Sequence, residues 1–166
     1  MIVRLVGSEM CIRDSLSVQT VGPDKVNQLR HARFLSGRIA EHMEQHATIL
    51  RPKFALVDRM LSEQLGALDI ANWTQPNGGY FISLDVLPGL AQKVVAMAKT
   101  AGLVLTPAGA TFPYGIDPED RNVRIAPTFG SLSELQGAMQ ILTLCVKLAS
   151  ARPVSYTHLR AHETYD

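Results

Sequence analysis

The stretch NWTQPNGGYFISLDVLPG, residues 72–89, decides the fold class because it replaces a long helical pattern with a strand pattern. In its second half, Tyr80, Ile82 and Leu84 alternate with residues 81, 83 and 85, which is the period of a strand. The turn sequences PNGG and PG bound this segment on both sides. The stretch therefore predicts one strand of a sheet, entered and left through turns.

Two helices are predicted before this strand. Apolar residues recur every three or four positions over residues 24–35 and over residues 39–61, and Asp24 can cap the first helix. Ser36-Gly37 separates the two patterns. Pro52 lies inside the second pattern, so we expect a kink or a break in the helix just before it.

Two helices and two more strands are predicted after it. We expect a helix over residues 89–100, a short apolar strand over LVLTPAG (103–109) and a clear strand over NVRIAP (122–127). The last helix starts at a capping box formed by Ser131 and Glu134. The order α, α, β, α, β, β, α predicts an α+β fold whose small sheet is covered by helices.

The composition is that of an ordinary single domain. The chain has 166 residues and a net charge of +1, which argues against nucleic-acid or membrane-surface partners that need a basic surplus. No apolar run approaches the roughly 20 residues that span a bilayer, and the opening lacks the features of a signal peptide. Cys11 and Cys145 are too few and too far apart for a disulfide scaffold or a zinc ribbon. We therefore expect a cytoplasmic protein.

Three segments together resemble one known family. WTQPNGGYFISLD (73–85), GLVLTPAGATFPYGIDPEDRNVRIAPTF (102–129) and GPDKVNQLRHARFL (22–35) are similar to the C-terminal part of fold-type I, pyridoxal-phosphate-dependent class I/II aminotransferases, in the aspartate-aminotransferase-like branch. The similarity covers about residues 16–152, and it departs from the family at Gly130, where proline is expected. The resemblance implies that residues 16–153 are a C-terminal domain with interdomain helices and a small mixed or antiparallel sheet.

The resemblance also implies an activity and a cofactor for a longer parent enzyme. Such an enzyme transfers an amino group between an amino acid and a 2-oxo acid through pyridoxal 5'-phosphate, usually as a homodimer. Its catalysis needs a lysine that holds the cofactor and shuttles a proton. None of the five lysines lies in the Ser-x-x-Lys context that the family uses: Lys25, Lys53, Lys93, Lys99 and Lys147. We expect no catalytic or cofactor-binding residue in this chain and no activity of the chain alone.

Arg124, in NVRIAP, matches the family arginine that binds the substrate α-carboxylate. A planar guanidinium can pair two parallel N–H donors with a carboxylate, and a strand would hold it rigidly. The alternative is a strand-edge arginine paired with Asp117 or Glu119. Gly79 is the second predicted substrate-binding residue, because glycine allows positive φ and close backbone approach. A plain turn before the strand is the alternative there.

The neighbouring loops are weaker candidates. Residues 107–109 and Thr111 are expected to form a shaped loop near the pocket, and Tyr114 to be a packed loop aromatic rather than a substrate contact. The Gly22-Pro23 loop would approach the partner subunit's active site if the parent enzyme is a dimer, as the family implies.

The remaining polar residues are expected to be structural. His31, His42 and His46 lie on helical patterns without a third ligand, so we expect solvated histidines and no metal site. Cys145 is expected in the core. Lys53 is expected to be a helix-surface charge, like Glu41, Glu44 and Arg59.

The two ends resemble translated sequencing-adapter DNA. LVGSEMCIRDS (5–15) and SYTHLRAHETYD (155–166) both lack the apolar period of the rest of the chain. We assign residues 1–15 and 154–166 as non-native extensions with poorly defined structure. His158, His162 and Glu163 could weakly bind a metal if a helix forms, but in a non-native tail such binding has no biological role.

Two other functions compete with the enzyme hypothesis. Some transcription factors join a DNA-binding head to an aminotransferase-like body that senses an effector, and a basic winged-helix head would then precede these residues. In a third hypothesis the segment serves only for dimerisation and folding, and Arg124 is structural.

Overall fold

The computed structural model describes residues 24–151, and the chain divides into two compact units between Ala47 and Thr48. The predicted extensions at both ends, the Gly22-Pro23 loop and the His158, His162 and Glu163 triplet lie outside the described residues.

The first unit contains helix α1, Lys25–Leu35, and the start of helix α2, Ile39–Leu65. The Asp24 carboxylate accepts hydrogen bonds from the backbone N–H groups of Val26 and Asn27, at 2.9 and 3.1 Å, which satisfies two free donors at the helix start. Gly37, with φ +69°, turns the chain between the two helices. The predicted cap and the predicted interruption are both confirmed.

Helix α2 continues through Pro52, so the helix does not break there, whereas the alternative, a kink, stays a prediction. Proline inside a helix costs about 3 kcal/mol. The residues after Pro52 offset this cost because five of them are buried: Leu56, Val57, Met60, Leu61 and Leu65. Each such side chain gains about 1.5–3 kcal/mol on burial. Packing in the second unit therefore outweighs the local preference of proline.

The second unit has a sheet of three antiparallel strands in the order β1, β2, β3: Ala71–Trp73, Ile82–Val86 and Asn122–Ile125. The strands β2 and β3 overlap the predicted ones, and β1 was not predicted. The predicted strand over residues 103–109 is wrong. Its first residue, Leu103, donates its N–H to the carbonyl of Ala98 at 2.8 Å and so closes the preceding helix instead of joining the sheet.

Two helices complete the second unit, α3 over Ala91–Thr100 and α4 over Leu132–Ala151. The capping box at the start of α4 is present. Ser131 donates its N–H to the Glu134 carboxylate at 2.8 Å, and Glu134 donates its N–H to the Ser131 hydroxyl at 3.3 Å. The Ser131 hydroxyl also donates to the Glu134 carboxylate at 2.8 Å, and the hydrogen bonds that this carboxylate accepts from the Ser131 N–H and hydroxyl lower its pKa.

The core lies on one face of the sheet. Ile82, Leu84 and Val86 of β2 are buried with Val123 and Ile125 of β3, and the inner faces of α3, α4 and the second half of α2 pack in the same cluster. Cys145 is part of this core, as predicted, and burial raises the pKa of its thiol. No helix within residues 24–151 is long and apolar enough to cross a membrane.

The other face of the sheet is polar. The residues between the buried ones in β2 and β3 are all half-buried, and the antiparallel register places Ser83 opposite Arg124 and Asp85 opposite Asn122. Directly paired residues share a face, so these four side chains lie together. The alternation of β2 and β3 thus builds a polar surface on a rigid core.

Candidate functional site

A pocket of about 360 Å³ opens on the polar face of the sheet. Two aromatic side chains, three hydroxyl groups, one amide and one arginine line it: Phe81, Phe112, Thr74, Ser83, Thr111, Asn122 and Arg124. Arg124 is the only charged residue of this lining. The pocket is therefore suited to an anion.

Arg124 is held in place by contacts that involve no acid among residues 24–151. Its guanidinium lies over the ring of Phe81, 4.5 Å from the ring centre, and one terminal nitrogen donates to the Thr106 hydroxyl at 3.3 Å. Its Nε is buried and has no hydrogen-bond partner among residues 24–151. A cation–π contact orients the guanidinium plane and leaves its N–H edges for another group. Arg124 is thus oriented, half-buried and open to an acceptor.

The alternative pairing of Arg124 with Asp117 or Glu119 is not what the structure shows. Glu119 forms an ion pair with Arg121 at 2.9 Å, and this hydrogen bond raises the pKa of Arg121. Asp117 accepts hydrogen bonds from three backbone N–H groups, those of residues 119, 121 and 122. Both acids therefore stabilise their own loop, and neither pairs with Arg124.

The Asp117 carboxylate fixes the chain just before β3. Desolvation alone would raise its pKa, but the three backbone hydrogen bonds and the nearby Arg121 together lower the pKa below its ordinary value of 3.8. A carboxylate that accepts several N–H bonds is stabilised in its charged form. Ionised Asp117 thus holds the entry to the strand that carries Asn122 and Arg124.

Asn122 connects three parts of the pocket. Its Nδ2 donates to the Ser83 hydroxyl and to the Asp85 carboxylate, both at 2.7 Å, and its Oδ1 accepts from the Thr111 hydroxyl at 3.0 Å. Both donors and the acceptor of the amide are therefore used. This arrangement links β2, β3 and the loop before the Pro113–Gly115 turn.

The loop that carries Thr111 depends on Gly109. Gly109 is buried with φ +84°, and a Cβ there would overlap the carbonyl oxygen of Gly115 and lie 3.3 Å from the N of Asp117. Only glycine allows this close backbone approach. The predicted shaped loop exists, and it brings Thr111 into the pocket.

Two other predicted residues lie away from the pocket lining. Gly79 has φ +94° and is exposed in the turn before β2, with no described atom within 4 Å of where a Cβ would be. Tyr114 is 99% exposed, so its prediction as a packed aromatic is wrong. Its backbone has φ +60°, and the side chain points into solvent. Gly79 therefore shapes a turn, and its predicted contact with substrate stays a prediction.

The lysines of the chain lie outside the pocket lining. All five lysines lie on helices, and none lines the pocket: Lys25, Lys53, Lys93, Lys99 and Lys147. Three of them are engaged elsewhere, with Thr128, Ala149 and Gln64 as their acceptors. Lys53 is half-buried and donates to the Thr128 carbonyl at 2.7 Å, so its prediction as a plain surface charge is wrong.

Histidines and acids form no metal site in the described part of the chain. No group of three potential ligands from His, Cys, Asp and Glu occurs within residues 24–151. His42 and His46 are exposed on α2, as predicted, and the His42 ring contacts Phe34 edge to face at 5.6 Å.

Sequence reasoning missed Phe81, Thr106 and Asn122. The alternation that predicted β2 places Phe81 on the face of Ser83 and Asp85, and Asn122 precedes Arg124 by the strand period of two. These signals could identify the polar face. Which residues meet across it depends on the register, which the sequence did not supply.

Comparison with known proteins places the chain among aminotransferases. A family model described as "Aspartate amino-transferase" matches residues 8–158. A protein of Mycolicibacterium smegmatis that carries an aminotransferase name is 52% identical over 134 residues, which are 80% of this chain and 31% of the relative. The chain spans about a third of the length of the curated relatives it matches.

Comparison with solved structures also finds similarity to aminotransferases. An aspartate transaminase of Corynebacterium glutamicum is 44% identical with a TM-score of 0.75, over 82% of this chain and 33% of that one. A more distant relative is an HTH-type transcriptional regulator of Bacillus subtilis, 25% identical over 72% of this chain and 24% of the regulator.

Proposed function

The chain belongs to the aspartate aminotransferase family, and we propose that it is the substrate-carboxylate-binding domain of an amino-acid aminotransferase. The complete enzyme transfers an amino group between an aspartate-like amino acid and a 2-oxo acid, in the cytoplasm and as a homodimer. Residues 16–153 are then its C-terminal domain, and the two end segments are extensions without a role in it.

The proposal is supported mainly by the orientation and the surroundings of the Arg124 side chain. Its guanidinium is oriented by Phe81 and Thr106, it is the only cation of the pocket lining, and no acid within residues 24–151 pairs with it. Leaving a half-buried cation unpaired costs free energy unless a ligand compensates. A carboxylate matches the fork of N–H donors in charge and in geometry.

Arg124 would act by binding and orientation. A carboxylate that accepts two parallel hydrogen bonds is fixed in position and in plane, and the strand β3 adds rigidity. The rest of the substrate then extends from Arg124 across a lining of hydroxyl and aromatic groups. This fixed geometry is the contribution of the chain to the rate.

The cofactor of the complete enzyme is pyridoxal 5'-phosphate, which supplies the electron sink for amino transfer. The groups that hold it belong to other parts of the enzyme, because the five lysines of this chain lie away from the pocket. The chain alone is therefore inactive.

The test is Arg124→Ala in the complete enzyme, with Arg124→Lys as the matched control that keeps the charge and loses the fork. Hydrogen bonds to charged groups contribute about 1.5–3 kcal/mol each, so the loss of two predicts a rise in KM for the amino acid of about 100-fold or more. Arg124→Lys should lie between Arg124→Ala and the parent. Bound cofactor, measured by absorbance, should not change. An unchanged KM for Arg124→Ala would exclude the carboxylate role.

A second candidate is an effector-sensing domain of a transcriptional regulator. The similarity to the Bacillus subtilis regulator supports it, at lower identity than the aminotransferases. Turnover separates the two, because a regulator would bind an amino acid at Arg124 without releasing a 2-oxo acid. A purely structural segment for dimerisation would show neither turnover nor Arg124-dependent binding.

A further inference from the structure

The register of the sheet gives Arg124 two diagonal neighbours on the polar face. Arg124 is opposite Ser83. The residues two positions before and after Ser83, on the same face of the sheet, are Phe81 and Asp85. Both are within reach of a long side chain in an antiparallel sheet. The guanidinium lies over Phe81, and it makes no ion pair with Asp85.

The contact of Arg124 with Phe81, instead of an ion pair with Asp85, needs a physical cause. Opposite charges at diagonal positions attract each other, and the attraction is stronger on a half-buried surface than in water. An ion pair with Asp85 would occupy the same N–H donors that a substrate carboxylate requires. An aspartate so close to a carboxylate-binding arginine is thus an internal competitor unless something holds it.

Asn122 is the residue that holds it. Its Nδ2 donates to the Asp85 carboxylate at 2.7 Å, while its Oδ1 is fixed by the Thr111 hydroxyl at 3.0 Å. The amide therefore cannot turn away without losing a hydrogen bond at each end. Arg121 also interacts electrostatically with Asp85, and its guanidinium is engaged with Glu119 at 2.9 Å.

We propose that Asn122 is a positioning residue that keeps the Asp85 carboxylate away from Arg124, so that the arginine stays open for the carboxylate of the substrate. This inference rests on the proposed function of Arg124. Asn122 would thus favour the substrate carboxylate over the Asp85 carboxylate as the partner of Arg124, in addition to its structural role in the sheet.

A double-mutant cycle in the complete enzyme tests the inference. Asn122→Ala releases Asp85 and should raise the KM for the amino acid about fivefold with little change in kcat, as expected for one half-buried ion pair that substrate must break. In the Asp85→Asn background no competing charge remains, so the same Asn122→Ala change should alter KM by less than about twofold. Asn122→Ser, whose hydroxyl is too short to reach Asp85, is a second variant with the same expectation.

Each outcome decides one question. An equal rise in KM in both backgrounds would show that Asn122 acts through the fold alone, and no rise in either would show that Asp85 does not compete. Either result overturns the inference while leaving the role of Arg124 intact. Arg124→Ala is measured in parallel, and an unchanged KM there would remove the proposed function and this inference together.

Discussion

Gly109→Ala should destabilise the second unit far more than Gly115→Ala, although both glycines lie in the same loop with positive φ. Gly109 has φ +84° and Gly115 has φ +72°. An alanine in this region costs about 1–2 kcal/mol at either position. At Gly115 the added Cβ meets no atom of residues 24–151 within 4 Å, so this cost is the whole effect.

At Gly109 the added Cβ would also overlap the carbonyl oxygen of Gly115 and lie 3.0 Å from its carbon. These are backbone atoms, so the overlap is relieved only by moving the loop. Forcing extra atoms into a packed site costs about 1–3 kcal/mol. The two contributions predict a loss of about 2–5 kcal/mol for Gly109→Ala, against about 1–2 kcal/mol for Gly115→Ala, so the overlap accounts for a difference of about 2 kcal/mol.

Urea unfolding of the chain measures this difference. Trp73 is the single tryptophan, it lies in β1, and its Nε1 donates to the Asp58 carboxylate at 3.0 Å, so its fluorescence reports on the second unit. With a slope of about 2 kcal/mol per molar urea, the two midpoints should differ by about 1 M. Equal midpoints would refute the close approach of Gly109 to Gly115.

Two further predictions concern stability. Because its pKa is lowered in the folded state, Asp117 stabilises the fold above its unfolded pKa of about 3.8, and this contribution is lost as the pH falls through the lower folded value. Urea midpoints between pH 7 and pH 2.5 should therefore fall with acid less steeply for Asp117→Asn than for the parent, and parallel curves would contradict this. Ser131→Ala should cost about 1 kcal/mol through loss of the α4 cap, whereas Ser62→Ala, in the exposed interior of α2, should be neutral or slightly stabilising. Equal effects at the two serines, measured by urea unfolding, would rule out the capping role.

Local chemistry made much of the fold predictable. The Asp24 cap and the Ser131–Glu134 capping box depend on residues within one helical turn, and both were identified from sequence. The strand β2 was identified from the alternation of Tyr80, Ile82 and Leu84 with the residues between them. These features need no information from distant residues.

The failures have a common cause in tertiary contacts. Strand β1 has three residues, too short for a period, and it exists because it pairs with β2. At Pro52, the packing of the buried residues that follow outweighs the tendency of proline to end a helix. In each case a local preference was outweighed by an interaction that sequence does not display.

The candidate site divides in the same way. Arg124 was identified through its motif, and its loop through the glycines and prolines around it. The contacts of Phe81 and Asn122 depend on the register between β2 and β3, which are separated by helix α3 and a long loop. The sequence could thus identify Arg124 as the candidate residue, whereas the orientation of its side chain could not be predicted.

The most direct measurement is a crystal structure of the complete enzyme with a bound, non-reacting amino-acid analogue. We expect two nitrogens of Arg124 about 2.7–2.9 Å from the two oxygens of the analogue's α-carboxylate. We also expect Phe81 beneath the guanidinium and Asp85 hydrogen-bonded to Asn122. An α-carboxylate bound by another cation, with Arg124 facing solvent, would show that Arg124 does not bind the substrate carboxylate.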